Sequence, residues 1–324
     1  MNIGFMIKWS KGSLNSKHGN VIGDELLGES LCASINKALP LFHAELYAPN
    51  YLPKNKLDVL VYLNDITPID LLAKTHVLYL QNGGYGESAM ALLNRLRKNS
   101  YDGYVFFSRK LLDLHENTGG KGLFLPFGVD TNLFRPCNPE QKYNHEVAYV
   151  GNDIKGETAT TKYLYPAVNF DFGLYGNWEI PKPRFRFWKR WKNLPHYKKV
   201  FEKLSKGKIP MSDIPILYSS AKINLNCTLQ DCIDWDVITL RTYEVLACKG
   251  FLISDTVPIA KETMRDCMVF TEGAEELQEQ ISYYLAHDKE RKAIAQNGYD
   301  FVQQYASIEA RANEITNYLG SICS

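Results

Sequence analysis

At 324 residues the chain exceeds one ordinary core and suits two α/β domains of about 150 residues each. Hydrophobic residues at 45% and charged residues at 23% exclude a disordered or fibrous chain. The net charge of +1 hides an uneven spread: Lys182 to Lys208 carries eleven Lys/Arg and a single acid, Glu202, which leaves the remainder near −9.

The first half alternates short apolar runs with helical patterns. Asn2–Ile7 reads as a buried strand, followed by a polar, Gly-containing loop to Gly23. From Asp24 to Leu39 the residues Leu27, Leu31, Ile35 and Leu39 share one helical face. Strands are predicted at Ala44–Tyr47, Val59–Leu63, Val77–Leu80, Tyr104–Phe107 and Gly122–Leu125, and helices at Glu87–Arg97 and Arg109–Glu116. A Gly/Pro/Asn-rich stretch from Phe127 to Pro139 reads as a linker. The pattern then restarts, with strands at Glu146–Val150, Phe170–Tyr175, Ala221–Asn226, Phe251–Ser254 and Met268–Phe270. Helices are predicted at Val237–Cys248, Ala274–His287, Lys289–Tyr305 and Ile308–Leu319. Alternation of this kind predicts two doubly wound parallel sheets, with ligands at the carboxyl ends of the strands.

Seven scattered cysteines form no C-x-x-C pair and no zinc spacing, which reads as reduced thiols in a cytoplasmic protein. The apolar opening before Lys8 is too short for a signal-peptide core, and no apolar run is long enough to span a membrane.

The densest chemistry lies in Asp236-Val-Ile-Thr-Leu-Arg241-Thr-Tyr-Glu244-Val-Leu-Ala-Cys-Lys-Gly250. On a helix beginning at Asp236, the two carboxylates would be roughly 12 Å apart along the axis, with Glu244 about 80° further round. The amides of Val237, Ile238 and Thr239 would then face an anion such as a diphosphate, with Arg241 as a fixed positive fork. The alternative for Glu244 is a solvated helix position.

This stretch resembles the group-1 glycosyltransferases of the GT-B fold, most closely their spore-maturation-protein-like (CgeB-like) branch. The matching residues are Arg241-Thr-Tyr-Glu244-Val-Leu-Ala247-Cys-Lys-Gly250-Phe-Leu-Ile-Ser-Asp255. Pro126-Phe127-Gly128-Val129-Asp130 with Phe134-Arg135-Pro136 fits as well, as do Tyr149-Val150-Gly151-Asn152, Leu174-Tyr175-Gly176-Asn177-Trp178 and Leu217 to Asn226. The resemblance implies a metal-independent transferase that uses a nucleotide-sugar as donor and needs no cofactor. It implies an acceptor-side Rossmann-like domain at 1–135, joined by a C-terminal helix at about 305–324, and a donor-binding Rossmann-like domain at 140–304. Glu244 would hold the ribose, and Asp236, in place of the family's Glu, would sit by the donor sugar. Gly151, Asn152 and Lys155 would approach the diphosphate, although the arginine usual after that glycine is missing.

On the acceptor side, one candidate loop holds Lys11, Gly12 and His18 with Asp24 and Glu25 at its end, and another holds Gly83, Gly84 and Tyr85. An inverting reaction would need a base, for which Asp24 and His18 are candidates; Asp24 also suits a helix N-cap. The basic, aromatic segment with Arg186, Trp188, Lys189, Arg190, Trp191 and Lys192 suits docking on an anionic membrane surface or on nucleic acid. Retaining transfer to a glycan, lipid-linked or other polyanionic acceptor is the leading expectation. DNA-base glycosylation, sugar-nucleotide epimerisation and non-catalytic polyanion binding are the alternatives.

Overall fold

The computed structural model describes residues 1–15, 23–81, 87–180 and 194–323. His18, Gly83, Gly84, Tyr85, Arg186, Trp188, Lys189, Arg190, Trp191 and Lys192 lie outside them. The chain divides into two compact units. The first holds Met1–Thr131, Asp234–Leu240 and Tyr305–Ser324, and the second holds Asn132–Ile233 and Arg241–Gln304.

The first unit contains a six-stranded parallel sheet in the order β2-β1-β3-β4-β5-β6, with strands Asn2–Met6 (β1), His43–Tyr47 (β2), Leu57–Tyr62 (β3), Ala73–Leu80 (β4), Gly103–Phe106 (β5) and Leu123–Phe124 (β6). Near-continuous burial of β3 and β4 is what a parallel sheet covered on both faces demands. Helices Ala89–Arg97 and Arg109–Glu116 start where Ser88 and Ser108 hydroxyls accept the amides of Ala91 and Leu111. These caps satisfy donors that the first helical turn leaves unpaired. The helix Ile308–Cys323 packs on Gly23–Ala38, and its Tyr318 hydroxyl donates to Tyr104 O and accepts from Tyr104 N, both at 3.1 Å.

The second unit contains a five-stranded parallel sheet in the order β11-β10-β9-β7-β8. Its strands are Val147–Val150 (β7), Phe172–Tyr175 (β8), Ile223–Asn226 (β9), Leu252–Asp255 (β10) and Val269–Thr271 (β11). Side chains alternate between its faces. Val147, Tyr149, Phe172 and Leu174 pack in one core with Trp178, Phe201 and Ile281, while Ala148 and Tyr175 pack in another with Tyr143 and Leu217. The strand order reverses between β7 and β9, which places the sheet's switch point at their carboxyl ends.

Five helices of the second half escape the periodicity of the sequence: Glu157–Tyr163, His196–Leu204, Ile214–Ser220, Gln230–Asp234 and Pro258–Thr263. Four of them span seven residues or fewer, too short to repeat a face. His196–Leu204 is hidden by its charge, because its exposed lysines mask the buried Tyr197 and Phe201.

Candidate functional site

The helix that carries the central motif begins at Leu240, not at Asp236. Asp236 has a φ of 59°, in the left-handed region, so the chain turns there and Val237, Ile238 and Thr239 precede the helix as irregular backbone. The 12 Å axial spacing between two carboxylates on one helix therefore does not hold. By its contacts Asp236 belongs to the first unit, whereas Arg241 and Glu244 belong to the second.

Within the second unit, charged groups gather where β7, β9 and β10 end. Arg241 projects from the first turn of the helix Leu240–Ala247, with its guanidinium carbon 4.9 Å from the centre of the Tyr149 ring of β7. Its Nη1 donates to Asn226 Oδ1 at 3.0 Å, at the end of β9. Lys155, in the loop after β7, is near enough to be affected by that charge. Burial, together with the Arg241 charge, pushes the Lys155 ammonium down to about 8. Among the described residues Lys155 has no hydrogen-bond or ion-pair partner.

Glu244 stands one turn beyond Arg241 on the same helix and keeps part of its surface exposed. Burial raises its carboxyl to about 7, against the opposing pull of Arg241. Its carboxylate makes no hydrogen bond among the described residues. Behind these groups lies Asp255 at the end of β10, 1% exposed. Burial raises its pKa, while hydrogen bonds from the Thr228 amide, the Thr228 hydroxyl and the Ser254 hydroxyl hold it down.

Two cations that approach each other, with no carboxylate in contact with Lys155, form an electrostatic arrangement suited to a multivalent anion. Perturbed groups of this kind gather at functional sites.

The glycines give this site its shape. A Cβ on Gly176, whose φ is 128°, would come within 2.1 Å of the Gly151 carbonyl, so the turns after β7 and β8 approach as only glycine allows. Asn152 ties the same two turns together, because its Oδ1 accepts the Asn177 amide at 2.9 Å. Its side chain is therefore engaged in the loop. Gly151 serves close approach of backbone, and Lys155 is the charged member of that loop facing the cluster.

In the first unit Lys11 is engaged as well. Its ammonium pairs with Glu29 at 2.7 Å and donates to Leu46 O at 3.3 Å. The Gly12 amide donates to Glu25 at 2.7 Å, and the amide and hydroxyl of Ser13 bind the same buried carboxylate. Lys11, Gly12 and Glu25 thus hold the loop after β1 in place. Asp24 accepts from Asn64 Nδ2 at 2.9 Å, in the first turn of its helix rather than at the cap.

The basic segment divides. Tyr197 and Phe201 are buried in the core of the second unit, with the Tyr197 hydroxyl and Lys198 on Asp153 at 2.8 Å each. Lys199, Lys203, Lys206 and Lys208 are exposed. Tyr197 and Phe201 therefore serve the core and not a docking surface.

Tyr149, Asn226, Thr228 and Ser254 escaped the sequence reading as site residues. Their signal was polar or aromatic character at the carboxyl ends of buried strands, where an ordinary core residue would be aliphatic. Among the described residues no group of three His, Cys, Asp or Glu is placed to hold a metal, and no helix is long and apolar enough to cross a membrane.

Residues 160–317 match the family model described as Glycosyl transferase-like. No curated protein matches the chain significantly in sequence. Among solved structures, sucrose-phosphate synthase from Thermosynechococcus elongatus is similar with a TM-score of 0.65 at 15% identity, over 99% of this chain and 98% of that one. T4 phage BGT in complex with its UDP-glucose substrate gives 0.64 at 15%, over 100% of both chains. HepE from Anabaena in complex with UDP and glucose gives 0.63 at 13%, over 98% of this chain and 99% of that one. The chain has the two-sheet fold of the GT-B glycosyltransferases, and its residues 160–317 carry the match to the glycosyl transferase-like family.

Proposed function

We propose that this protein is a glycosyltransferase that takes a hexosyl group from a UDP-sugar and passes it to a hydroxyl of a glycan, lipid-linked or other polyanionic acceptor. The observation that carries this reading is the convergence of Lys155 and Arg241 at the switch point of the second sheet, with Glu244 one turn beyond. A diphosphate would supply the anion missing from Lys155 and Arg241, and the Glu244 carboxylate would accept from ribose hydroxyls. The UDP and UDP-glucose bound by HepE and T4 BGT support that choice of donor.

In the reaction, the bond from the sugar's anomeric carbon to the diphosphate oxygen breaks, and its electron pair leaves with UDP. The acceptor oxygen bonds to the same carbon. With retention it arrives on the face the diphosphate leaves, so its proton can pass to the departing phosphate oxygen. The two cations stabilise the charge that grows on the leaving group, a role electrostatic preorganisation fills effectively in a site poor in water. Asp236 and Asp24 are proposed for the reacting end of the substrates, and we place the chain in the spore-maturation-protein-like branch on its motif.

The experiment is UDP release from UDP-glucose with a panel of sugar and lipid-linked acceptors, with and without EDTA. Acceptor-dependent release that survives EDTA supports the reading. Turnover of the sugar nucleotide without acceptor into an epimer would replace it.

A further inference from the structure

The Arg241 guanidinium is held by a hydrogen-bond relay whose direction is set by one buried carboxylate. Asp255, 1% exposed, accepts the Thr228 hydroxyl at 2.7 Å, the Ser254 hydroxyl at 3.1 Å and the Thr228 amide at 2.6 Å. Each hydroxyl has a single proton, so one that donates to Asp255 must accept from its other neighbour. That neighbour is Asn226 Nδ2, at 3.1 Å from Thr228 Oγ1 and 3.0 Å from Ser254 Oγ. An amide whose nitrogen faces two acceptors must turn its oxygen the other way. Asn226 Oδ1 then accepts from Arg241 Nη1 at 3.0 Å.

We infer that Asp255, Thr228, Ser254 and Asn226 act as positioning residues. Their relay forces the Asn226 carbonyl, rather than its amino group, onto Arg241 and so fixes the direction of the guanidinium toward the donor's diphosphate. A reversed amide would present N–H groups to an arginine that has only donors, and the guanidinium would swing away. The relay also keeps the anion at a distance. Asp255 orients the cation through two neutral links instead of pairing with it, which leaves the Arg241 charge open to a ligand. Asn226, Thr228 and Ser254 are all buried, so the network excludes water that could otherwise relax its polarity.

The inference rests on the donor assignment for its consequence but not for its geometry, and two readouts separate them. The first is the Arg241 Nε–Hε resonance of the ligand-free protein, which reports guanidinium order without any donor. The second is UDP affinity by calorimetry. Thr228→Val removes the hydroxyl at nearly constant shape, and Thr228→Ser restores it. Thr228→Val is expected to broaden or shift the Arg241 signal and to weaken UDP binding about tenfold, the size of one lost charge-assisted hydrogen bond. Thr228→Ser should return both toward wild type. Should Thr228→Val unfold, Ser254→Ala removes the other hydroxyl and is read in the same two ways. A folded variant lacking both hydroxyls, Thr228→Val with Ser254→Ala, that keeps an unchanged Arg241 signal overturns the relay whatever UDP does. An altered signal with no UDP binding to wild type leaves the relay standing and sinks the donor assignment.

Discussion

The Arg241 guanidinium lies 4.9 Å from the centre of the Tyr149 ring, held between an aromatic face on β7 and the Asn226 carbonyl on β9. A cation placed this way is attracted by the ring quadrupole, and the attraction survives loss of the hydroxyl. Tyr149→Phe should therefore retain UDP affinity, whereas Tyr149→Leu should weaken it by roughly fivefold, within the range of a desolvated cation–π contact. Equal affinity for the two variants by calorimetry would show that stacking contributes nothing.

Glu244 gives the site a pH dependence with a definite sign. Burial pushes its carboxyl up to about 7. The native state therefore keeps a proton that the unfolded chain releases in the ordinary carboxylate range. Stability should fall as pH climbs through that window and level off above about 7. Donor affinity should move oppositely, because the ionised carboxylate is the better ribose acceptor. Glu244→Gln should flatten the pH dependence of the melting temperature between about pH 5 and 7 and weaken donor binding at pH 8. A melting profile for Glu244→Gln that parallels wild type contradicts the assignment.

Lys155 should trade stability for binding. Its ammonium is pushed down to about 8 by burial and by Arg241, so its charge costs more in the folded protein than in the unfolded chain. Lys155→Met keeps the stem and removes that cost, so its melting temperature should equal or exceed wild type near neutral pH. UDP affinity should fall by about tenfold or more, the loss of a partly desolvated phosphate contact. In wild type at pH 8, UDP binding should also take up protons, seen as an enthalpy that varies with the ionisation heat of the buffer. Reduced stability of Lys155→Met with intact binding would make Lys155 a structural residue.

The basic segment should separate into a structural half and a docking half. Phe201→Ala removes a fully buried ring and should cost about 3–5 kcal/mol by denaturant unfolding. Neutralising Lys189, Arg190 and Lys192 together tests the docking half. It should weaken co-sedimentation with anionic vesicles, at about 1 kcal/mol per cation near the surface. Gel shift with duplex or single-stranded DNA, in place of vesicle binding, would redirect the acceptor reading toward nucleic acid. Wild type that binds neither at low salt would end the docking proposal.

Much of the fold was legible because buried parallel strands such as Leu57–Tyr62 and Ile223–Asn226 are apolar runs that stand out against polar connections. The motif around Arg241 and Glu244 was legible because its spacing with Gly250 and Asp255 is distinctive. What stayed hidden has local causes. The positive φ at Asp236 is a backbone state that Asp tolerates without announcing, so the helix starts at Leu240, three residues after the predicted Val237. Lys11 looked available because nothing in the sequence shows that Glu29 and the Leu46 carbonyl meet it. The Asn226 relay needs two strand ends and a helix brought together, which only the tertiary fold supplies.

The central claim is that Lys155 and Arg241 hold the diphosphate of a UDP-sugar, and calorimetric titration of UDP tests it most directly. Wild type, Lys155→Met and Arg241→Met should be compared at pH 7.5 or thereabouts, each checked for an intact melting transition. The account predicts a single site in wild type, and affinity lowered by about tenfold or more in each folded variant. Wild-type affinity for UDP in both variants, or no binding of UDP or UDP-glucose to the wild-type protein, would contradict it.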